Sequence, residues 1–237
     1  MKLDDPDVVR EQYGSEAGLA ARKSIYVEVT GTDARDLVFE AVAEVDPDSV
    51  LEVGCGEGEL AERIQAELEV ELVAIDQSER MVELTHRRGV DARVGDVQEL
   101  PFQNGSFDVV VAAWMLYHAP DLHGAVGEIA RVLRPGGRLV AATNASDHLQ
   151  ETLDLAGIDD FDFSFRAENG VEILRRHFLH VETRDAGGTV TLRDAEQIRT
   201  YLRSSARVRD AAERVPELTE PLVVRRHPVV FVAEKAG

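Results

Sequence analysis

Three glycines at alternate positions form the most distinctive loop of the sequence. Gly54, Gly56 and Gly58 follow a short apolar run that ends in Glu52-Val53. Glycines at this spacing let the main chain turn tightly and approach a ligand without a Cβ atom in the way. A helix that begins after the loop presents free N–H groups and its positive dipole end to that ligand. The loop therefore predicts a nucleotide-like ligand at the carboxyl end of a strand.

Two acidic residues narrow the chemistry of this ligand. Asp76 ends the next apolar run, in the position where an acidic side chain accepts hydrogen bonds from ribose hydroxyls. The loop has the spacing G-x-G-x-G, whereas dinucleotide sites have G-x-G-x-x-G. Glu52 would bring negative charge close to a pyrophosphate, but it suits a ligand with a sulfonium and an α-amino group. The residues favour the cationic ligand, and a nicotinamide dehydrogenase is the alternative.

Strands and helices are predicted to alternate along the chain, which is typical of a doubly wound parallel α/β sheet. Strands are predicted at residues 49–53, 71–75, 91–94, 107–112 and 138–143, and two more at residues 177–184 and 229–234. Helices are predicted at residues 8–14, 33–45, 59–68, 78–89, 121–133 and 194–204, with Thr32, Ser78 and Asp121 as N-caps and Asp194 near the start of the last. Residues 145–170 show no clear pattern and stay unassigned.

The chain resembles the class I S-adenosylmethionine-dependent methyltransferases in four segments that occur in the family's order. The first is the glycine loop with its strand, Val50-Leu51-Glu52-Val53-Gly54-Cys55-Gly56-Glu57-Gly58. The second is Asp76, and the third reads Gly95-Asp96-Val97-Gln98-Glu99-Leu100-Pro101-Phe102. The fourth begins at Ser106-Phe107-Asp108-Val109-Val110 and ends at Leu133-Arg134-Pro135-Gly136-Gly137. Together they cover residues 48–143 and match the type 11 group, which implies a Rossmann-like sheet of about seven strands, the last antiparallel, with helices on both faces.

The resemblance implies that S-adenosylmethionine is the cofactor and S-adenosylhomocysteine its product. The methionine part would contact residues of the loop and of the end of the fourth strand, namely Glu52, Gly54, Cys55, Gly56, Gly58, Ala113 and Trp114. Asp76 would hold both ribose hydroxyls, with Gln77 and Met81 flanking the adenine. Asp96 would accept from the adenine amino group, and the Val97 N–H would donate to a ring nitrogen. The alternatives are a turn-forming role for Asp96 and core packing for Met81, and Cys55 is expected to fill space rather than act as a nucleophile.

The acceptor side of the site is expected to come from three places. His118 follows the fourth strand and is either a general base for a protonated acceptor or a residue that only shapes the pocket. An N-terminal helical lid is predicted over residues 1–45, as in related enzymes, and its Tyr13, Arg22 and Tyr26 either complete the pocket or are ordinary helix residues. The alternating Phe161, Phe163 and Phe165 form the opposite wall or a half-buried strand.

The composition of the chain is strongly acidic, since 45 acidic and 26 basic residues give a formal net charge of −19. Such a surface repels polyanions, so a nucleic-acid substrate is disfavoured. Lysine is scarce, since only Lys2, Lys23 and Lys235 are present. This composition fits either a halophilic organism, in which salt screens the self-repulsion, or an ordinary acidic enzyme from a GC-rich genome. In the first case the argument against nucleic acid weakens.

Several absences complete the prediction. Cys55 is the sole cysteine, so neither an internal disulfide nor a cysteine-cluster metal site is expected. The sequence shows neither a signal peptide nor an apolar stretch of the roughly 20 residues that span a membrane, which favours a cytoplasmic location without a membrane partner. One domain is predicted, with a lid (residues 1–45), a cofactor-binding core (residues 46–145) and an acceptor-side segment with C-terminal strands (residues 146–237). No metal is expected, and the oligomeric state is left open.

The residues at the end of the fourth strand limit the classes of methyl acceptor that the sequence favours. They read Ala112-Ala113-Trp114-Met115, where enzymes that methylate the amino groups of adenine or glutamine carry an Asn-Pro-Pro-Tyr type motif. Methyl transfer to a small-molecule acceptor by in-line displacement is therefore the first choice. The alternatives are methylation of an RNA base, and a protein that binds the cofactor without turnover.

Overall fold

The computed structural model describes residues 21–159, 163–205 and 207–237. Tyr13, Phe161 and the helix predicted at residues 8–14 lie outside this part of the chain. Its central sheet has seven strands: β1 (Ser49–Val53), β2 (Glu71–Asp76), β3 (Asp91–Val94), β4 (Phe107–Ala113), β5 (Leu133–Asn144), β6 (His180–Asp185) and β9 (Pro228–Glu234). A separate two-stranded sheet consists of β7 (Gly188–Leu192) and β8 (Leu222–Arg226).

Helices connect the strands and cover the sheet. The α-helices are α1 (Ala34–Ala43), α2 (Glu59–Leu68), α3 (Glu79–Arg87), α4 (Leu122–Val132), α5 (Gln150–Leu155), α6 (Ala167–Leu174) and α7 (Ala195–Arg203). Two short 3₁₀ helices span Leu116–His118 and Arg209–Arg214. Within the described ranges, no helix combines the length and the apolar character needed to cross a membrane.

The order of strands in the large sheet is β3-β2-β1-β4-β5-β9-β6. Strands β1 to β5 pair in parallel, while β9 runs antiparallel to both of its neighbours, β5 and β6. The doubly wound sheet with an antiparallel last strand is thus confirmed. After β3 the chain returns to the other side of β1, so β1 and β4 flank the point where the strand order reverses. Ligands of such sheets bind beyond the carboxyl ends of the strands at this point.

Side-chain caps fix where most of the helices begin. The Ser78 hydroxyl accepts from the Met81 N–H at the start of α3, and Asp121 accepts from Gly124 at the start of α4. Asp194 caps α7 in the same way. The predicted caps Ser78 and Asp121 are confirmed, and so is the position of Asp194 near the start of its helix. The cap of α1 is Asp33, which accepts from the Arg35 N–H, and the predicted cap Thr32 is wrong by one residue.

The strand predictions are confirmed for β1 to β4 and need correction elsewhere. Residue Leu133 has extended backbone and pairs with Phe107, so it belongs to β5 and not to the preceding helix. Strand β6 begins at His180 because His177 still lies in the turn after α6. The strands β7 and β8 were not predicted, and the unassigned residues 145–170 contain α5 and the start of α6.

Three apolar clusters hold these elements together. One lies between the sheet and α4 and α6, and a second lies between the sheet and α1, α2 and α3. The third joins α5, α7 and the small sheet, and it includes the buried Ile25 from the N-terminal segment. We call this third group, comprising residues 145–159, 188–205 and 207–226 together with residues 21–32, the cap. The cap contributes side chains to the cavity at the end of β1 and β4.

Candidate functional site

The glycine loop is tied to the neighbouring strand β2 by main-chain hydrogen bonds. The N–H groups of Gly54 and Cys55 both donate to the Ile75 carbonyl, at 2.8 and 3.1 Å. The three loop glycines all have left-handed backbone, with φ of 69° at Gly54, 55° at Gly56 and 76° at Gly58. Residues with a Cβ rarely adopt this conformation, so the turn between β1 and α2 depends on glycine.

The three glycines differ in what an added Cβ would meet. At Gly54 it would lie 2.6 Å from the Met115 Cβ, and at Gly58 it would lie 2.6 Å from the Thr85 Oγ1. At Gly56 it would meet no atom within 4 Å. Gly54 and Gly58 therefore allow close packing, whereas Gly56 keeps space open in front of the loop.

A Gly58→Ala substitution is expected to lower the free energy of unfolding by about 2–5 kcal/mol, because it combines left-handed strain with a clash against Thr85. Gly89→Ala is the matched control, since Gly89 has φ 84° but open space around its Cβ position. The control should lose only the strain energy of about 1–2 kcal/mol. Urea denaturation of both variants checks this, and equal losses would contradict the role given to Thr85.

Glu52 lies near the carboxyl end of β1 with a side chain that is only 3% exposed. Its Oε2 has no hydrogen-bond partner among the described residues. Burial raises the pKa of this carboxyl to about 8, and the nearby Asp76 contributes to the rise, although the Ala61 main chain donates to it. A buried, unpartnered carboxylate oxygen is unfavourable by itself. It therefore suits a ligand that brings a cationic donor.

Asp76 ends β2 and holds the loop in place. Its Oδ2 accepts from the Gly56 N–H at 3.0 Å, and its Oδ1 accepts from the Ser78 N–H at 2.9 Å. Burial raises the pKa of Asp76, while these main-chain donors oppose that rise. Each oxygen keeps further lone pairs for a ligand hydroxyl.

A cavity of about 560 Å³ opens beside the loop, which is within the range of small-molecule sites. It brings together nine of the predicted site residues: Arg22, Tyr26, Glu52, Gly54, Cys55, Gly56, Ala113, Trp114 and His118. Gly58, Asp76, Gln77, Met81, Asp96 and Val97 do not line it. Apart from Gly58, the predicted methionine-side residues share this cavity with the predicted acceptor-side residues Arg22, Tyr26 and His118. The residues predicted for the ribose and the adenine lie outside its lining.

Two of the residues predicted for the adenine, Met81 and Asp96, interact with other parts of the chain. Met81 is 1% exposed within α3, as the core-packing alternative requires. The Oδ1 of Asp96 accepts from the Gln98 N–H at 2.9 Å, as in a turn, and its second oxygen contacts the Gln98 side chain. The roles of these two residues toward adenine stay predictions.

Trp114 directly follows β4 and has a backbone conformation that is rare for a large side chain, with φ of 54°. Its main-chain N–H donates to the Ala142 carbonyl, and its indole Nε1 donates to the Asn144 Oδ1 at 3.3 Å. Such strained residues persist where the surroundings fix them, often at functional sites. Here the strain places the indole on the cavity wall.

An aromatic wall follows Trp114. The rings of Tyr117 and His118 lie 4.5 Å apart, and the rings of Tyr117 and Phe163 lie 5.1 Å apart. All three residues line the cavity. Phe165, which was expected on the same wall, is instead fully buried against Phe231 in the core.

The single cysteine lines the cavity, but its thiol is expected to be unreactive. Cys55 is 7% exposed, and its Sγ lies 3.5 Å from the Thr85 Oγ1. Burial, together with Glu52, raises the pKa of the thiol to about 12. A thiol in this state is a poor nucleophile, in line with the expected space-filling role. In the described ranges, histidine, cysteine and acidic side chains form no group of three or more that could hold a metal ion.

The sequence did not single out His148 and Arg226, which line the far side of the cavity. The Tyr26 hydroxyl lies 2.9 Å from the Nε2 of His148, and the His227 N–H donates to its Nδ1 at 2.8 Å. Burial, with Arg226 and His227 nearby, lowers the pKa of His148 to about 3. His148 lies in the unassigned segment and Arg226 on the unpredicted strand β8, so no local pattern pointed to them.

Comparisons with known proteins agree with this geometry. The methyltransferase domain family of type 11 matches residues 51–141. The 27-O-demethylrifamycin SV methyltransferase of Amycolatopsis mediterranei is 44% identical over 100 residues, which are 39% of this chain and 37% of that protein. The ubiquinone biosynthesis O-methyltransferase of Xanthomonas oryzae is 41% identical over 101 residues, which are 40% of this chain and 42% of that protein.

A solved structure extends the similarity to the fold. The N-methyltransferase NodS from Bradyrhizobium japonicum, in complex with S-adenosyl-L-homocysteine, has a TM-score of 0.58 at 18% identity and 86% coverage of both chains. The match to the two curated relatives spans less than half of their length. The family match includes the glycine loop and the central strands, so residues 51–141 are similar to the methyltransferase domain of type 11.

Proposed function

We propose that this chain binds S-adenosylmethionine at the glycine loop and transfers its methyl group to a small organic acceptor. The observation that carries the proposal is the buried, unpartnered Oε2 of Glu52 beside a loop of left-handed glycines. A dinucleotide would bring phosphate to this carboxyl, whereas an α-ammonium group brings the missing donors. Ionised Glu52 then accepts a charge-assisted hydrogen bond in a place where water competes little.

The other residues around the loop fit the remaining parts of the cofactor. Asp76 has lone pairs left for the ribose hydroxyls, while its hydrogen bond from Gly56 keeps the loop in shape. Asp96 and the Val97 N–H are assigned to the adenine by family resemblance. When bound, the cofactor supplies a methyl group that an acceptor lone pair takes up, while the carbon–sulfur electron pair stays on sulfur and a neutral thioether leaves.

The chain itself positions the two reactants and excludes water. In-line displacement from an activated sulfonium gains mostly from orientation, and intramolecular-like positioning contributes about 7–11 kcal/mol in favourable cases. The strained Trp114 and the wall formed by Tyr117 and Phe163 give the cavity rigid apolar sides. The cap residues Tyr26 and His148 close its far side.

His118 is the proposed base for an acceptor that arrives protonated. Its ring lies on the aromatic wall of the cavity. A His118→Ala variant is expected to lower kcat about tenfold, less than most general bases contribute, because the leaving group is already activated. Its affinity for S-adenosylhomocysteine should stay unchanged. Steady-state kinetics and a binding titration check this, and an unchanged kcat would leave His118 with a shaping role only.

The described arginines support a small acceptor over an RNA base. Many of them are neutralised by acidic neighbours across the surface, for example Arg63 by Asp36, Arg88 by Glu62, Arg131 by Glu128, Arg184 by Glu44 and Arg203 by Glu213. A surface of this kind does not form the continuous basic face that tracks a phosphate backbone. Two curated relatives are named for small organic substrates, a rifamycin precursor and an intermediate of ubiquinone biosynthesis.

The proposal is tested by incubating the full chain with methyl-labelled S-adenosylmethionine and either a metabolite extract or total tRNA. We expect label in a small-molecule fraction and none in RNA. Label in RNA would favour the alternative acceptor. Tight binding of the cofactor without any transfer would favour a binding protein. Binding of a nicotinamide cofactor in place of S-adenosylmethionine would overturn the proposal.

A further inference from the structure

Arg226 is a buried cation without an ionic partner in the part of the chain that the structure describes. It lies at the end of β8, is 7% exposed, and lines the same cavity as Glu52. Its Nε donates to the Thr30 carbonyl at 3.0 Å, and its Nη2 donates to the Thr32 carbonyl. No carboxylate of the described residues forms an ion pair with it.

The third nitrogen of this guanidinium is available to a ligand. Nη1 makes no hydrogen bond to a described residue, yet it is not among the fully enclosed, unpartnered side-chain atoms. It therefore keeps some accessible surface, and Arg226 lines the cavity. Main-chain carbonyls compensate part of the cost of burying the charge, but a buried arginine normally has an anionic partner. In a chain with a net charge of −19, a buried arginine with no acidic partner is unexpected.

The other basic side chains on the cavity wall are occupied differently. Arg22 donates to the Ser204 carbonyl at 3.1 Å. Lys23 pairs with Glu57 and Glu59, and Arg35 pairs with Glu59. These pairs lie near the glycine loop and leave little net positive charge there. The cavity thus has an acidic side at Glu52 and a positive side at Arg226.

The Tyr26 hydroxyl is a second hydrogen-bond donor on the cavity wall, and the bond that His148 makes to it decides where its hydrogen can go. His148 receives the His227 N–H on its Nδ1, so the neutral ring carries its proton on Nε2. That proton is donated to the Tyr26 oxygen, which leaves the Tyr26 hydroxyl hydrogen for another acceptor. Arg226 is close enough to act electrostatically on both Tyr26 and His148. Tyr26, His148 and Arg226 thus lie together in one corner of the cavity.

We propose that the methyl acceptor is a small aromatic acid whose anionic oxygen is bound by Arg226 and Tyr26. The aromatic ring would lie against the wall formed by Tyr117 and Phe163. This inference rests on the proposed function, because it places the acceptor in the cavity that also receives the methyl donor. It names the chemical class of the acceptor and leaves the methylated atom to the orientation of the ring.

The test uses benzoate and its neutral isostere benzamide as probes, added to the full chain saturated with S-adenosylhomocysteine. Trp114 is the single tryptophan of the chain and lines the cavity, so its fluorescence reports binding there. We expect benzoate to bind at least about tenfold more tightly than benzamide, the usual effect of a charge-assisted hydrogen bond. Arg226→Gln should bring the ratio of the two affinities close to one, and Arg226→Lys should retain a preference for benzoate.

Arg225→Gln is the matched control, because Arg225 is the neighbouring residue of β8 and its exposed side chain pairs with Asp147 outside the cavity lining. This variant should keep the full preference for benzoate. Equal affinities in the unmodified chain, or no binding of benzoate, would overturn the inference. An Arg226→Gln variant that weakens both probes by the same factor would show a purely structural role. Saturation with S-adenosylhomocysteine is measured first, so its failure would identify the proposed function as the error.

Discussion

Replacing Glu52 with glutamine is expected to weaken S-adenosylhomocysteine binding about 100-fold, because the variant loses a charged acceptor for a buried ammonium group. Glutamine is nearly isosteric with glutamate, so the cavity keeps its shape. Its amide NH₂ group is a hydrogen-bond donor and cannot accept from the ligand's ammonium group. The loss should appear in the dissociation rate and little in the association rate. Calorimetry or stopped-flow fluorescence of Trp114 measures it. An affinity within about threefold of the unmodified chain would remove the basis of the cofactor assignment.

The same substitution should stabilise the ligand-free protein in a defined pH range. The pKa of Glu52 is about 8 in the folded chain, against an ordinary value of 4.5. Between these values the folded state keeps a proton that the unfolded state has released, so the free energy of unfolding falls as the pH rises through this window. The contribution of protonated Glu52 to the free energy of unfolding is fully present below pH 4.5, where both states are protonated, and it is completely lost above pH 8, where both states are ionised.

The Glu52→Gln side chain does not ionise, so the variant's unfolding free energy does not fall with pH for this reason. Its advantage in unfolding free energy over the unmodified chain should grow by up to about 1.4 kcal/mol for each pH unit between pH 4.5 and about pH 8. Urea denaturation at several pH values without ligand measures it. Saturation with S-adenosylhomocysteine should reverse the order of stability, since the ligand binds the folded unmodified chain much more tightly. A constant difference across the pH range would show that Glu52 is ionised in the ligand-free protein.

Gly56→Ala is expected to abolish most cofactor binding while leaving the fold intact. The added methyl group would meet no protein atom within 4 Å, so it would project into the space beside the loop where the ligand must approach. We expect a loss of affinity on the order of 100-fold from this steric block. The unfolding free energy should fall only by the strain of a left-handed alanine, about 1–2 kcal/mol.

Gly89→Ala serves again as the matched control for this variant. Gly89 has the same left-handed backbone and the same open surroundings, but it lies after α3 and does not line the cavity. Both variants should lose similar stability, and only Gly56→Ala should lose affinity for S-adenosylhomocysteine. A binding defect in both variants, or in neither, would contradict the assignment of Gly56 to the ligand face of the loop.

The core of the fold was predictable because its signals are local. Strand β4 is buried along Phe107–Ala112, and a run that is apolar on both faces indicates a central parallel strand. The caps Ser78, Asp121 and Asp194 mark helix starts by side-chain chemistry alone. The glycine loop is a similar case, since its φ values follow from residue type at fixed spacing.

The acceptor side was not predictable for the opposite reason. Strand β8 pairs with β7, which lies about thirty residues earlier in the chain, and only this pairing carries Arg226 to the cavity. His148 meets Tyr26 across more than a hundred positions of sequence, so no spacing rule connects them. Met81 shows a third limit, because its apolar side chain suits a core and an adenine face equally well in the sequence. The unpartnered state of Glu52 likewise depends on the packing around β1.

Glu52 and the glycine loop are proposed to hold the amino-acid end of the methyl donor, and a crystal structure of the full chain with S-adenosylhomocysteine would test this placement. We expect the ligand's ammonium nitrogen within hydrogen-bond distance of the Glu52 Oε2, its ribose hydroxyls on Asp76, and its sulfur facing the cavity beside Trp114. An ammonium group held elsewhere, with the Glu52 Oε2 still unpartnered, would show that Glu52 does not bind the cofactor.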